Sequence, residues 1–558
     1  MASGRVARPG VQVKTDKMPP EIHFEDIAEK AGLTAVNVFG GIDTKKYIVE
    51  TTGNGAAVFD FDNDGLMDLF LPNGGTLDDR GAGKSHLYRN LGSLKFEDVT
   101  VKSGISDPGW AQGACVGDYD NDGHRDLFVT HWGQSVLYRN NGDGTFTDVT
   151  STLGLDSKAE RWDTGCTFFD YDLDGRLDLA ITGYVDFDIK TVPVPGSDDL
   201  CRWKGMPVMC GPRGLPAGRN YLFHNDGTRF SDVSEKSTLA APTGCYGFTA
   251  LASDFDNDGY PDLYVACDST ASLLYINKRN GTFEESGIFA GVALNEDGQE
   301  QAGMGIAVAD YDQDGLFDLI KTNFSDDTPN LYHNNGDGTF TDNVYRSGLG
   351  VHTQSLGWGV HFLDADHDGL KDVLILNGHV YPEVDRANLG TSYRQSPLFY
   401  WNIGGGRFVS LTERAGPAIN AAHSSRGSAQ ADFDNDGSLE VVIVNMGERP
   451  SLLRNSAPKK NWLLVALEGV KANRDAIGTR AYVYSGGTRL AGEVHGGSGF
   501  LSQNDSRLHF GLGDSKRYDR IEVLWPGGNQ ETYEGGGVNR IVRLKQGEGK
   551  PAAAAEED

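Results

Sequence analysis

Long apolar runs are missing: nowhere in the 558 residues do eighteen apolar residues stand together, so no helix of this chain is expected to cross a membrane. Positive charge is scarce, with 50 Lys and Arg against 79 Asp and Glu, for a formal net charge of −29. No basic cluster breaks that balance, which argues against a nucleic-acid partner. No GxxxxGK(S/T) phosphate loop and no HExxH zinc signature occur. The opening MASGRVARPGVQVKTDKMPP is charged but has no apolar stretch. It reads as a disordered segment over residues 1–20 without a visible signal peptide, at the front of a cytosolic chain or of a mature or trimmed form.

What the chain has in quantity is acid and glycine, arranged periodically. Seven loops of the form DxDxDGxx(D/E) recur between short apolar runs. Their carboxylates are Asp60, Asp62, Asp64 and Asp68; Asp118, Asp120, Asp122 and Asp126; Asp170, Asp172, Asp174 and Asp178; Asp254, Asp256, Asp258 and Asp262. The series continues with Asp310, Asp312, Asp314 and Asp318; Asp364, Asp366, Asp368 and Asp372; and Asp432, Asp434, Asp436 and Glu440. Acids at positions 1, 3, 5 and 9 offer hard oxygens around one point, and the glycine at position 6 permits the sharp turn that wraps a cation. Calcium suits such a set, up to seven ions in structural roles. An EF-hand is excluded, because position 12 of the first loop is Leu71 inside a strand-like run. Most of the negative charge is thus a metal requirement, and seven dications would leave a net charge of about −15.

Each unit repeats a glycine-rich strand into the loop, a strand such as DLFVTHWG, a strand such as LYRNNG, and a strand such as FTDVT. Turns of the NNGDGTF kind are hairpin signals. Four strands per unit and seven units predict a seven-bladed β-propeller over 21–457. IHFEDIAEKAGL at 22–33 matches FEDVTVKSGI at 96–105, while the seventh unit stops at LLRNSA. The N-terminal strand is therefore expected to complete the last blade and remove two exposed sheet edges. Residues 458–546 lack the loop, alternate apolar and polar residues and are dense in glycine turns, which reads as a β-sandwich-like domain. Trp525, His509 and Gln503 are expected in its core or turns, and 547–558 as a disordered tail.

Alternating strand direction places the acidic loops and the hairpin turns on one face. The other face carries the remaining connections, where binding residues are commonly presented. Trp110, Trp162, Tyr246, Trp358, His131, Asp268, His423 and Arg426 fall there, a mixture of aromatic and polar groups suited to a glycan or a polar metabolite at the channel mouth. The competing reading is that they plug the channel and satisfy one another. Asp163 with Glu300 would make an acid and base pair across the mouth, and His379 beside Glu383 a general base. Two insertions, 183–219 and 377–397, reach the same face from blades three and six and are expected to cover the channel from opposite sides. Cys201 and Cys210 in the first are placed for a disulfide. Cys115, Cys166, Cys245 and Cys267 sit in apolar strand positions and read as small buried residues.

The repeats resemble the FG-GAP/VCBS type of integrin-like propellers. NWLLVALEG, NRDAIGTRAYVY, GGSGFLSQND, LHFGLG and IEVLWPGG resemble the ASPIC/UnbV domain. Together they are similar to the cartilage acidic protein-like (CRTAC) family, usually secreted or surface proteins of poorly defined biochemistry. The resemblance implies the all-β fold and calcium rather than an activity. The resulting expectation is a secreted, periplasmic or cell-surface calcium-binding propeller, acting as a binding module for a glycan, protein or matrix ligand through the face opposite calcium. The alternative is a lyase, hydrolase or cyclase using Asp163, Glu300 or His379.

Overall fold

Short β-branched and aromatic runs, each ended by a glycine-bearing turn, leave helices room for single turns only, and the regular structure is predominantly strand. The computed structural model describes residues 9–106, 108–157, 159–197 and 199–551. Unit two is representative: Ala111–Gly117, Asp126–Gly133, Val136–Asn140 and Phe146–Asp148 pair in order and antiparallel. The same four-stranded order recurs at 57–98, 161–232, 247–285, 306–342 and 357–410. At 425–455 only three strands come from the local sequence. The fourth is Phe24–Asp26, antiparallel to Ser451–Asn455. First strands of successive units neighbour one another, and that of the last unit, Ser425–Ala431, neighbours Ala57–Phe59 of the first. The arrangement is that of a propeller.

Units are joined by repeated side-chain devices. The residue at position 2 of one loop packs on the fourth-strand phenylalanine of the next unit: Phe61 on Phe146, Tyr119 on Phe230, Tyr171 on Phe283, Phe255 on Phe340, Tyr311 on Phe408, and Phe433 on Phe96. Only loop six departs, with Ala365, and there Phe24 meets Phe399 instead. Such aromatic pairs contribute about 0.5–1.5 kcal/mol each beyond area burial.

The four strand cysteines are not small buried thiols, as their apolar setting suggested. Cys115 and Cys166, 51 residues apart, form a disulfide between the first strands of units two and three, and Cys245 bonds Cys267 within unit four. Packing of neighbouring units brings the first pair's Cα atoms to 5.8 Å, and strand pairing within unit four brings the second pair's to 5.4 Å. The expected Cys201–Cys210 bridge is also present.

Residues 461–551 form two sheets. One holds Asn461–Glu468, Leu508–Gly513 and Arg540–Lys545; the other holds Arg480–Ser485, Thr488–Glu493, Arg517–Leu524, Gln530–Gly537 and Lys550–Pro551. Leu463, Val483, Phe510, Ile521, Val523 and Trp525 share the core between them. At the other end of the chain, Gly10 N–H donates to Gly350 O and Lys17 Nζ to Ile403 O, so part of the N-terminal segment lies along units five and six.

Candidate functional site

Each acidic loop is shaped by its own carboxylates. In loop one the position-1 acid Asp60 accepts N–H groups from Asp64 and Gly65 at 3.1 and 2.8 Å. The position-9 acid Asp68 accepts from Phe61 and from Asn90 in the third strand, at 3.0 and 2.7 Å. These bonds hold acid side chains around one point: Asp60, Asp62 and Asp68 bring ligand oxygens within 4.8 Å of one another, as do Asp118, Asp120 and Asp122, and Asp170, Asp172 and Asp174. Buried oxygens on Asp62, Asp172, Asp310, Asp312, Asp366, Asp434 and Glu440 have no hydrogen-bond donor. Burial, aggravated by the neighbouring carboxylates, pushes Asp68 up to about 8 and Asp118 and Asp170 up to about 7. Crowded, desolvated oxygens without donors are what a hard dication relieves, so the residues fit calcium.

Two recurring positions outside the ligand set tie the loops together. The asparagine ending every third strand donates its amide to the position-2 carbonyl of the preceding unit's loop: Asn140 to Phe61, Asn225 to Tyr119, Asn277 to Tyr171, Asn334 to Phe255, Asn402 to Tyr311, Asn455 to Ala365, and Asn90 to Phe433. At position 4, Asn63, Asn121, Gln313 and Asn435 donate to the position-6 glycine carbonyl of the next loop. Each loop is thereby tied to its neighbours. Asn225 is 2% exposed. Replacing it with Ala strands the Tyr119 and Leu177 carbonyls, and we expect a loss of about 1–3 kcal/mol in chemical denaturation at saturating calcium. An unchanged midpoint would show that the tie contributes nothing.

The C-terminal domain sits over this face. Arg480 donates to Asp254 O and Arg507 to Asp432 O, both position-1 carbonyls, and Asp475 accepts from Asp118 N–H at 2.6 Å. From the same domain, residues 495–505 enter the axial channel. Ile306 and Gly499 exchange two backbone hydrogen bonds of 2.7 Å, Ala114 N–H donates to Leu501 O, Leu501 N–H to Thr249 Oγ1, and Gln503 N–H to Ala56 O. Six of the seven first strands carry glycine five residues before the loop, at Gly55, Gly113, Gly165, Gly305, Gly359 and Gly427; the seventh carries Thr249. A Cβ on Gly55 would stand 1.7 Å from Leu501 O, and one on Gly427 2.3 Å from Asn54 O. The narrow channel is therefore lined by glycine and filled by the chain itself.

On the opposite face the residues expected at the mouth are gathered but covered. Trp110, Trp162, Tyr246 and Trp358 are buried in one aromatic cluster with Phe248, Tyr184 and the tip of the channel segment, Phe500 and Leu501. Trp203 from the unit-three insertion packs on His379 and Tyr381 from the unit-six insertion, with ring centroids 4.8 and 6.0 Å apart. The two insertions meet over the channel. Burial holds His379 down to about 3, and its Nδ1 accepts the Tyr381 N–H; Glu383 is near Arg386 and Lys45 instead. Asp163 is fully buried, accepting from Ser135 Oγ at 2.7 Å and Arg161 Nη2 at 2.8 Å, whereas Glu300 is exposed and paired with Arg213. Asp268 accepts from Tyr184 OH at 2.6 Å, His423 faces Glu448 at 2.6 Å, and His131 is buried against Val129 O. Arg426 is buried over the Trp358 ring at 4.2 Å and donates to the carbonyls of Thr51, Gly378, His379 and Ser425, so burial without a carboxylate partner lowers it to about 10. A cavity of about 40 Å³ remains, lined by Tyr184, Asp268, Phe248, Trp358 and Tyr381.

FG-GAP-like repeats match residues 60–129, 118–181, 208–265 and 254–321, and the ASPIC and UnbV domain matches 469–551. Cartilage acidic protein 1 of Xenopus tropicalis is 27% identical over 371 residues, which are 57% of this chain and 55% of that protein. The Homo sapiens protein of that name is 24% identical over 327 residues, 56% of this chain and 46% of its own length. The chain spans about half the length of the curated relatives it matches. Among solved structures, an Agrocybe aegerita lectin specific for non-reducing terminal N-acetylglucosamine aligns with a TM-score of 0.38 and 16% identity, over 71% of this chain and 87% of the lectin. The V. cholerae biofilm matrix protein Bap1 aligns with a TM-score of 0.33 and 10% identity, over 76% and 92%. The chain is thus an FG-GAP-repeat protein with a C-terminal ASPIC and UnbV domain, similar to the cartilage acidic protein family.

Proposed function

We propose that the seven units are the blades of one calcium-loaded ring, and that the protein is an exported interaction module recognising a protein or glycan-bearing matrix partner on the face opposite calcium. The observation that carries this reading is the closure of that face. The cavity found there among the described residues, about 40 Å³, is far below the roughly 300 Å³ at which small-molecule pockets begin, which favours recognition by the outer surface. There the disulfide-stapled insertion presents Ile189, Val194 and Leu200 at 38, 50 and 42% exposure within twelve residues. Apolar groups exposed close together favour contact with another macromolecule. Three disulfides suit an oxidising compartment.

The test is an array of immobilised matrix proteins and glycans probed in calcium, with a triple Ile189→Ser, Val194→Ser, Leu200→Ser variant alongside. Wild type should retain at least one partner, and the triple variant should bind it at least about tenfold more weakly. No binder, or one indifferent to the three substitutions, would remove this face from consideration.

A further inference from the structure

The third-strand residue preceding the conserved-position asparagine of each unit lies over the acidic loop, and its identity varies: Arg89, Arg139, His224, Ile276, His333, Trp401 and Arg454. Where it is arginine, a fixed cation covers the carboxylates, as when Arg89 Nε reaches Asp62 at 2.6 Å. Units three and five place an imidazole there instead.

In unit five His333 Nδ1 stands 3.3 Å from Asp312 Oδ2 and 3.2 Å from Asp318 Oδ1. Two donor atoms sharing one metal at about 2.0–2.1 Å lie roughly 2.9–3.4 Å apart, from octahedral to tetrahedral geometry. Both distances from His333 Nδ1 fall in that range. Asp310, 7% exposed, aims a further oxygen without any donor into the same loop. In unit three His224 Nδ1 is hydrogen-bonded to Asp178 Oδ1 at 3.1 Å and lies 3.6 Å from Asp172 Oδ2. Asp172, Asp178 and His224 bring ligand atoms within 4.8 Å of one another, and so do Asp312, Asp314 and His333.

Calcium takes oxygen donors at 2.3–2.6 Å, whereas imidazole nitrogen at shorter range suits first-row transition dications. We propose that loops three and five select a nitrogen-accepting dication of the zinc class, while the other five loops remain all-oxygen sites. This rests on the reading that the loops hold dications. His224 and His333 supply the nitrogen donor, and the five sister loops serve as controls inside one molecule.

The experiment uses the full chain, stripped with chelator and dialysed against cobalt(II) as a spectroscopic probe in excess calcium. Wild type should hold two equivalents of cobalt with the intense visible bands of a nitrogen-ligated ion. His333→Arg should hold one, and the double variant with His224→Arg none, each lost site weakening at least about a hundredfold. Arginine is what three sister units carry at this partly exposed position, so calcium uptake by the other five loops should not change. Cobalt uptake that is equal in wild type and double variant overturns the proposal. Calcium uptake without cobalt uptake in wild type overturns it alone, and uptake of neither ion overturns the loop reading as well.

Discussion

Chelating calcium should lower the melting temperature by roughly 10–15 °C, because each site saturated at 100 times its Kd adds about 2.7 kcal/mol and five or more sites act on one ring. The effect should depend on pH in a direction fixed by the carboxylates. Without metal, burial raises Asp68 to about 8, Asp118, Asp170, Asp318 and Asp432 to about 7, and Asp254, Asp310 and Asp364 to about 6. Unfolded, an aspartate titrates near 3.9. A folded acid whose pKa is raised favours the folded state fully below about 4, and that contribution is lost as pH climbs through the folded values. Metal-free protein should therefore lose stability steadily between about pH 4 and pH 8. Calcium replaces the protons, so the gap between loaded and stripped protein should widen over the same interval. Calorimetry in chelator and in calcium at pH 5 and pH 7.5 reads both quantities. A gap that is absent, or that narrows with rising pH, would mean that the acidic loops are not structural metal sites.

The parts of this molecule that repeat were legible in its sequence, and the parts made by tertiary closure were not. Seven DxDxDG loops announce their own geometry because ligand spacing and turn residues are local. The strand Phe24–Asp26 could be placed because FED recurs in register at 96–98 and in kindred form at 146–148. The third-strand asparagine also recurs in all seven units, but a strand residue gives no hint that its amide reaches a neighbouring blade. The pairing of Cys115 with Cys166 could not be read from a 51-residue separation, since only adjacency of two first strands creates it. Trp110, Trp162, Tyr246 and Trp358 were correctly gathered on one face by strand alternation. What covers them is Phe500, some 140 residues beyond Trp358 and in a different domain. The glycine five residues before six of the seven loops was the one visible trace of that visitor, because a channel lined without side chains leaves space for a backbone to enter.

Phe500→Ala should be among the most damaging single substitutions in the chain. Its ring is fully buried, with centroids 4.8 Å from Trp358 and 5.4 Å from Phe248, and truncation of a buried phenylalanine costs about 3–5 kcal/mol. The loss is not confined to the C-terminal domain, because the segment bonds to first strands of units one, two, four and five through Ala56, Ala114, Thr249 and Ile306. A cavity at residue 500 sits where these strands converge, and it also uncovers the aromatic cluster beneath the two insertions. Gly55→Val should act by the opposite route: a side chain 1.7 Å from Leu501 O cannot be housed unless the segment withdraws. Both variants, melted in saturating calcium, should fall well below wild type and bind a hydrophobic dye before the cooperative transition. Ser515→Ala, at a hydroxyl outside the channel, is the matched control. If Phe500→Ala melts with wild type, the segment merely rests in the channel, and ring and domain are independent in stability. If it falls by the expected amount, the domain is the axle of the propeller, and its removal would leave the blades without the contacts that line their centre.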